Sequence, residues 1–179
     1  IATQTVSASS PLEYPEIPTR NGYVFAGWYR NSSGSGSPYD FSQNIAEGSN
    51  ITLHARSIRN YGNTSSLIPL NGSLTVSVPD QSSSNNSQYY YAFVPLTSGS
   101  VTIYSTGSFD AEGFLYRGNG SSKTQIASDT DSGVDRNFSI TCSVDAGTIY
   151  YIRPVGYSSS GTTTVHIQMT MPADGGIVY

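Results

Sequence analysis

Three aspartates in one short loop carry the clearest chemical signal in this sequence. Residues 129–135 read DTDSGVD and place Asp129, Asp131 and Asp135 close together. Calcium prefers oxygen ligands, and a D-x-D-x-G stretch is typical of the beginning of a calcium-binding loop. The bidentate glutamate that would complete such a loop is absent, because Ile140 stands in its place. We therefore predict calcium ligation by the three aspartates, with hydrogen bonding of each side chain to its own turn as the alternative.

Aromatic side chains give the second chemical signal, since the chain has fourteen Tyr and one Trp. Flat aromatic faces stack on sugar rings and supply contact area at a low cost in conformational entropy. Strand alternation assigns Tyr91, Phe93 and Phe138 to a core. Residues on the opposite strand faces or beside loops are then the candidates for a ligand-binding surface: Tyr90, Tyr104, Tyr116, Tyr157, Arg117 and Asn119.

Catalytic motifs are missing from the sequence. His54 and His166 each lie in the middle of a predicted strand, and neither has a nucleophile or carboxylate at a telling spacing. No nucleophile elbow, zinc-binding HExxH or phosphate-binding loop is present. We therefore expect a protein that is not an enzyme.

Composition narrows the fold class and the partners. Charged residues make up 11% of the chain, the net charge is −4, and the few cations are scattered. A nucleic-acid interface needs a basic face, so no nucleic-acid partner is expected. No apolar run approaches the roughly 20 residues of a membrane span, so no membrane insertion is expected. Cys142 is the single cysteine, which excludes a disulfide framework and favours a small buried side chain.

Short alternating stretches separated by turn residues predict an all-β protein. A strand is predicted within residues 20–31 and another at 51–55, followed by a stretch of linker composition at 57–66. From residue 67 onward we expect six to eight short strands, including a hairpin within 110–135. This regular spacing of strands and turns is typical of a β-sandwich or jelly roll.

Residues 12–57 carry a family resemblance in three ordered segments, PTRNGYVFAGWYRN, YDFSQNI and ITLHARS. They resemble the Listeria–Bacteroides repeat, the internalin-type B-repeat with a β-grasp-like fold. The resemblance implies a spacer or adhesion module of secreted and surface-anchored bacterial proteins, and it assigns Trp28 of GWY to the core. The family's closing Trp is replaced by Ser57, and only residues 1–8 are available for its first strand.

A second resemblance covers residues 70–170. Its segments include YYAFVPLTSGSVTIYS, DAEGFLYRGNG, IASDTDSGVDRNFSI and DAGTIYYIRPVGY, followed by a final alternating strand. Together they resemble the bacterial pre-peptidase C-terminal domain. The resemblance implies a jelly-roll-like β-sandwich appended to secreted proteins, some relatives binding collagen, polysaccharide or calcium.

These observations predict a β-grasp-like repeat at residues 1–58, a jelly-roll-like β-sandwich at 67–171 and a tail at 172–179. The expected function is non-catalytic binding of carbohydrate or extracellular matrix, which targets an attached enzyme or cell to a substrate. The alternative is a structural spacer or adhesin stalk without a small ligand. Either way the expected location is secreted or on the bacterial cell surface, beside flanking domains of a parent chain.

Overall fold

The computed structural model describes residues 10–64, 66–82 and 87–169. This part of the chain contains ten β-strands, two short 3-10 turns at 87–89 and 134–136, and no α-helix. The strands are β1 Tyr23–Tyr29, β2 His54–Arg59, β3 Gly72–Val78, β4 Tyr91–Phe93, β5 Gly99–Thr106, β6 Ala111–Asn119, β7 Ser122–Asp129, β8 Ser139–Val144, β9 Tyr150–Gly156 and β10 Gly161–Met169. The all-β prediction is confirmed.

Strands β3 to β10 form a sandwich of two four-stranded sheets, ordered β3-β10-β5-β8 and β4-β9-β6-β7. Their paired strands are all antiparallel. The chain crosses repeatedly from one sheet to the other, so that strands distant in sequence become neighbours. Two four-stranded sheets connected in this order are the jelly roll, as the spacing of strands and turns predicts.

The core between the two sheets is built by alternation. Tyr91 and Phe93 of β4 point inward and are 3% and 2% exposed, and Phe138 before β8 is completely buried. The Phe93 ring stacks on that of Tyr150 with 5.5 Å between the ring centroids. The prediction that Tyr91, Phe93 and Phe138 lie in the core is confirmed.

Strands β1 and β2 form a separate two-stranded antiparallel sheet. An isolated two-stranded sheet is marginally stable, so it has to bury its apolar face against another element. Here that element is the outer face of the sheet containing β4 and β9. The shared cluster consists of Val24, Ala26, Tyr90, Ala92, Val94, Ile149 and Tyr151.

Tyr29, at the end of β1, is completely buried, with its hydroxyl beside Gly147 of the sandwich. Its hydroxyl donates to the carbonyl oxygen of Ala26 at 3.2 Å and accepts from the Arg56 guanidinium at 3.2 Å. The same guanidinium nitrogen donates to the carbonyl oxygen of Gly147, in the turn before β9, at 3.2 Å. Arg56 therefore connects β2, β1 and the sandwich through one charged group.

Residues 60–64 and 66–68 lie between the two units, and several of them are hydrogen-bonded to the sandwich. The amide of Tyr61 donates to the Tyr151 hydroxyl at 3.1 Å, and the amide of Asn63 donates to the carbonyl of Tyr90 at 2.7 Å. Lys123 donates from its ammonium to the carbonyl oxygen of Tyr61 at 3.0 Å. Several backbone groups of a stretch with linker composition are thus paired with the sandwich, which holds the stretch against the sheet.

One predicted strand is displaced along the chain, and both chain ends lie outside the described residues. The strand predicted at 51–55 instead begins at His54 and runs to Arg59, so Ile51 precedes it. Pro11 forms an isolated bridge with Asn44. Residues 1–8, expected to supply the first strand of the β-grasp-like unit, and the tail at 172–179 lie outside the described residues.

Replacement of Gly147 tests the contact between the two units. Gly147 has a φ of 68°, and an added Cβ would overlap the Tyr29 hydroxyl. Backbone strain and overpacking together predict that Gly147→Ala lowers the free energy of unfolding by about 2–4 kcal/mol, measured by urea denaturation.

Gly48→Ala is the matched control for backbone strain. Gly48 has a φ of 74° and open space around the added Cβ, so the expected loss is only about 1 kcal/mol. Equal losses for the two variants would contradict the close packing of Tyr29 against Gly147.

Candidate functional site

A β-bulge in β1 places an aromatic ring at the edge of the contact between the two units. The register of β1 against β2 shifts between Phe25 and Trp28. Within the bulge, Gly27 has a φ of 112°, and a Cβ there would lie 2.7 Å from a Pro38 carbon. Bulges re-aim the side chains that follow them. Trp28 accordingly lines an open cleft, and the prediction that it belongs to the core is corrected to a partly exposed position.

We call this opening the aromatic cleft, and its volume is about 250 Å³. Tyr39 lies beside β1, where its amide donates to the Trp28 carbonyl at 2.6 Å. Phe41 lies between two tyrosine rings, with centroids 4.9 Å from Tyr39 and 4.5 Å from Tyr14. Together with Trp28, these three rings line the cleft and give it a largely apolar floor.

The second wall of the aromatic cleft comes from the sandwich. Leu96, Thr97 and Ser98 precede β5, and Ala146 lies in the turn before β9. The Ser98 hydroxyl accepts a hydrogen bond from the Ala146 amide at 2.9 Å, which fixes these two loops together. Because the walls belong to different units, the cleft depends on the packing of β1 and β2 on the sandwich.

Asp40 supplies the polar end of the aromatic cleft. One of its carboxylate oxygens accepts from the Ser42 hydroxyl at 2.7 Å and from the Ser42 amide at 2.9 Å. The hydrogen bonds from Ser42 hold the pKa of Asp40 below its ordinary value. The carboxylate is therefore ionised at neutral pH and accepts hydrogen bonds.

The indole N–H of Trp28 is buried and has no hydrogen-bond acceptor among the described residues. The Trp28 ring is in contact with Phe25, with ring centroids 5.7 Å apart. An unpaired buried donor costs about 1–3 kcal/mol.

The binding surface predicted from the tyrosines is not assembled as expected. Tyr90 is 5% exposed and lies under the β1–β2 sheet, so it is corrected from a surface residue to a core residue. Its ring is 5.2 Å from that of Tyr116, which is partly buried against the same cluster. The ammonium of Lys123 lies 4.9 Å from the Tyr90 ring centroid. Tyr90 and Tyr116 therefore meet each other in the contact between the units.

The other predicted binding residues lie apart from this pair. Tyr104 is on β5 in the opposite sheet, where its ring stacks on His166 at 4.7 Å. Tyr157 follows β9 and is 63% exposed. Arg117 forms an exposed ion pair with Asp145 at 2.9 Å. Asn119 ends β6, and only its backbone is described.

The acidic loop between β7 and β8 is organised by Asp129. Its carboxylate accepts from the Ser132 hydroxyl at 2.6 Å, the Ser132 amide at 3.0 Å and the Ser139 amide at 2.9 Å. Partial burial raises the pKa of Asp129, but these hydrogen bonds outweigh it, and the pKa is lowered overall. Asp129 thus performs the turn role that was the alternative to calcium binding.

Asp131 and Asp135 are exposed and do not form a group with Asp129 that could hold a metal ion. Asp135 has a φ of 56°, and the following Arg136, with a φ of 60°, forms an ion pair with Asp110 at 3.3 Å. Within the described part of the chain, no three His, Cys, Asp or Glu side chains form a group that could hold a metal ion. Calcium binding at Asp129, Asp131 and Asp135 stays a prediction of the sequence.

The first part of the chain is similar to known proteins. Residues 1–56 match the Listeria-Bacteroides repeat domain. Internalin H of Listeria monocytogenes serovar 1/2a is 42% identical over 60 residues, which is 34% of this chain. The matched region covers 11% of internalin H, so the chain spans a small part of that protein's length.

The repeat indicates a domain of a surface or secreted protein. Within the described residues there is no helix long and apolar enough to cross a membrane. The lining residues of the aromatic cleft that precede the sandwich, including Trp28 and Tyr39, all lie within residues 1–56, which match the repeat. The sequence analysis did not select Tyr39, Asp40 or Phe41 as binding residues, although the YDF segment places two aromatic rings and a carboxylate side by side.

Removal of the Asp129 carboxylate tests its role in the loop. Asp129→Ala leaves the donors of Ser132 and Ser139 without their acceptor and is expected to lower the free energy of unfolding by about 1–3 kcal/mol. Asp131→Ala is the control, because Asp131 accepts no hydrogen bond from the described residues and its loss should change stability little. Equal effects in urea denaturation would contradict the role of Asp129.

The pH dependence follows from the same hydrogen bonds. The folded-state pKa of Asp129 lies below the ordinary value of 3.8, so the unfolded chain binds this proton more readily. The ionised Asp129 carboxylate makes its full contribution to stability at pH values above the ordinary pKa of 3.8. This contribution is lost as the pH falls toward the folded-state pKa of Asp129. Asp129→Ala should therefore show a smaller decrease in stability than the original protein between neutral pH and pH values below 3.8. Curves that stay parallel would contradict this assignment.

Calcium binding is tested separately by melting the protein in calcium and in a chelator. A bound ion stabilises the folded state by mass action, so calcium would raise the Tm and the chelator would lower it. An unchanged Tm would contradict the metal prediction, and the role of Asp129 in the turn would then be the remaining explanation of the loop.

Proposed function

We propose that this chain is a non-catalytic module of a secreted or surface bacterial protein and that it binds carbohydrate in the aromatic cleft. The observation that carries the proposal is the grouping of four aromatic rings beside a polar rim. Binding sites for small molecules are concave, mostly apolar and equipped with a few placed polar groups. The aromatic cleft has this character, with hydroxyl groups from Ser42, Thr97 and Ser98 and the Asp40 carboxylate around its floor.

A sugar ring has an apolar face of C–H groups and an edge of hydroxyl groups. The apolar face suits Trp28 and Tyr39, whose rings offer broad contact surfaces. The hydroxyl edge suits Asp40, because an ionised carboxylate makes stronger hydrogen bonds than a neutral acceptor. The volume of about 250 Å³ suits one sugar unit of a chain that continues into solvent.

Both units contribute walls to the aromatic cleft, so carbohydrate binding depends on how the units pack together. The repeat supplies the aromatic floor and the sandwich supplies the opposite wall, so the two units act as one binding module. The jelly-roll topology and the resemblance of residues 70–170 to the pre-peptidase C-terminal domain support a role beside other domains of a parent chain. In that setting the module targets an attached enzyme, or the cell itself, to a polysaccharide.

Substitutions in the aromatic cleft test this function. Tyr39→Ala and Trp28→Phe are expected to weaken binding by about tenfold or more, because aromatic contacts dominate the affinity of such sites. Binding is measured by calorimetry with oligosaccharides chosen from a glycan array. Thermal melting of each variant establishes that the fold is retained.

Tyr157→Ala is the matched control, since Tyr157 is an exposed aromatic residue outside the cleft. Its affinity should equal that of the original protein. Failure of every array glycan to bind, or equal affinities for the Tyr39 and Tyr157 variants, would contradict the proposal.

A structural spacer is the second candidate function. The observation that favours it is the cluster shared by the two units, together with the Tyr29, Arg56 and Gly147 contacts. Such packing makes a rigid body suited to holding other domains apart. A spacer predicts a single stiff shape in small-angle scattering and no saturable carbohydrate ligand.

A further inference from the structure

A second cleft of about 360 Å³ adjoins the aromatic cleft. Tyr39 lines both of them and is the residue that the two clefts share. The second cleft also includes Arg30, immediately after β1, and Asn44, Ser49 and Asn50 from the following loops. We call it the Arg30 cleft. A ligand longer than one sugar unit that enters the aromatic cleft has room to continue past Tyr39 into it.

The two clefts differ in charge. The aromatic cleft is lined by one carboxylate, Asp40, and no cation. The Arg30 cleft is lined by one cation and no carboxylate, since Glu47 of the same loop is not among its lining residues. Along a ligand that passes Tyr39, the charge of the protein therefore changes from negative to positive.

Arg30 is available for a ligand anion. Its side chain is exposed, and its guanidinium carbon lies 5.2 Å from the Tyr39 ring centroid. No carboxylate in the described ranges lies within ion-pair distance of Arg30, in contrast to Arg117 and Arg136. Contact with an aromatic face orients the planar guanidinium, whose fork of N–H donors matches the two oxygens of a carboxylate.

The Arg30 cleft has polar side chains beside the apolar Ile45, Ala46 and Ile51. Asn44 and Asn50 carry both amide donors and carbonyl acceptors, and Ser49 adds a hydroxyl. These groups suit the hydroxyls of a sugar ring whose carboxylate is held by Arg30. The ionised Asp40 repels a second carboxylate in the aromatic cleft, so the two positions select different units.

We propose that the ligand is an acidic oligosaccharide that binds with an uncharged sugar unit in the aromatic cleft and a neighbouring uronate in the Arg30 cleft. This inference rests on the proposed function, because it names the class of carbohydrate that the same site binds. The Tyr39 ring contacts both units, and the charges of Asp40 and Arg30 set the direction of the chain.

The experiment compares paired oligosaccharides that differ only in charge. Neutral hexamers of gluco, manno and galacto configuration are each titrated against the hexamer of the same linkage that contains alternating uronate units. The inference expects at least one uronate hexamer to bind about tenfold more tightly than its neutral partner at low salt. The difference should decrease at high salt, because an exposed ion pair is screened.

Two variants of Arg30 separate charge from general packing. Arg30→Gln should abolish the preference, so that this variant binds the uronate hexamer and the neutral hexamer with equal affinity. Arg30→Lys should retain part of the preference, because it keeps the charge but loses the planar fork. Arg59→Gln is the matched control, since Arg59 is also exposed and also lies over a tyrosine ring, 5.4 Å from the Tyr61 centroid, away from both clefts.

The outcomes distinguish this inference from the proposed function. Neutral and uronate hexamers that bind equally, with loss of binding in Tyr39→Ala, overturn the acidic ligand and leave carbohydrate binding in place. A uronate preference that survives Arg30→Gln assigns the anion to another residue and also overturns the inference. Absence of binding by every hexamer overturns both.

Discussion

The burial of Tyr29 against Gly147 is the contact on which the two-unit architecture depends. A sheet of only two strands cannot bury enough apolar surface by itself, so β1 and β2 need a second surface. The sandwich provides that surface on the outside of β4 and β9, and the turn at Gly147 leaves space for the Tyr29 hydroxyl. Arg56 then joins the two units by hydrogen bonds to the Tyr29 hydroxyl and the Gly147 carbonyl.

Several polar groups brought into this contact are paired, which lowers the cost of burying them. The buried Asn60 side chain donates to the Asn63 carbonyl at 2.7 Å and accepts from the Gly62 amide at 2.8 Å. Lys123 has a lowered pKa because of its burial, and its ammonium is held by the Tyr61 carbonyl and by aromatic faces. Unpaired, each of these groups would cost about 1–3 kcal/mol or more. The segment after β2 thus serves as part of the interface between the units.

The aromatic cleft is a consequence of where that contact ends. The bulge at Gly27 turns the chain out of the covered face, so that Trp28 reaches the margin between the units instead of the interior. Tyr39 and Phe41 follow on an extended piece beside β1, and the loops before β5 and β9 provide the opposite wall. Packing of the repeat on the sandwich therefore covers one set of aromatic residues and leaves another set accessible.

The sequence by itself determined most of the strands and the sandwich or jelly-roll class, because alternation and turn residues are local properties. Tyr91 and Phe93 were assigned inward correctly, and Tyr90 was assigned to the opposite face correctly. Only the tertiary structure decided that the opposite face is also buried, since nothing local records that another sheet covers it. The same reason applies to Trp28, which the GWY motif assigned to the core. Its exposure depends on a bulge in β1 and on loops that are far away in the sequence. At Asp129, residue type allowed either a metal or a turn, and the hydrogen bonds that hold its carboxylate were visible only in the folded loop.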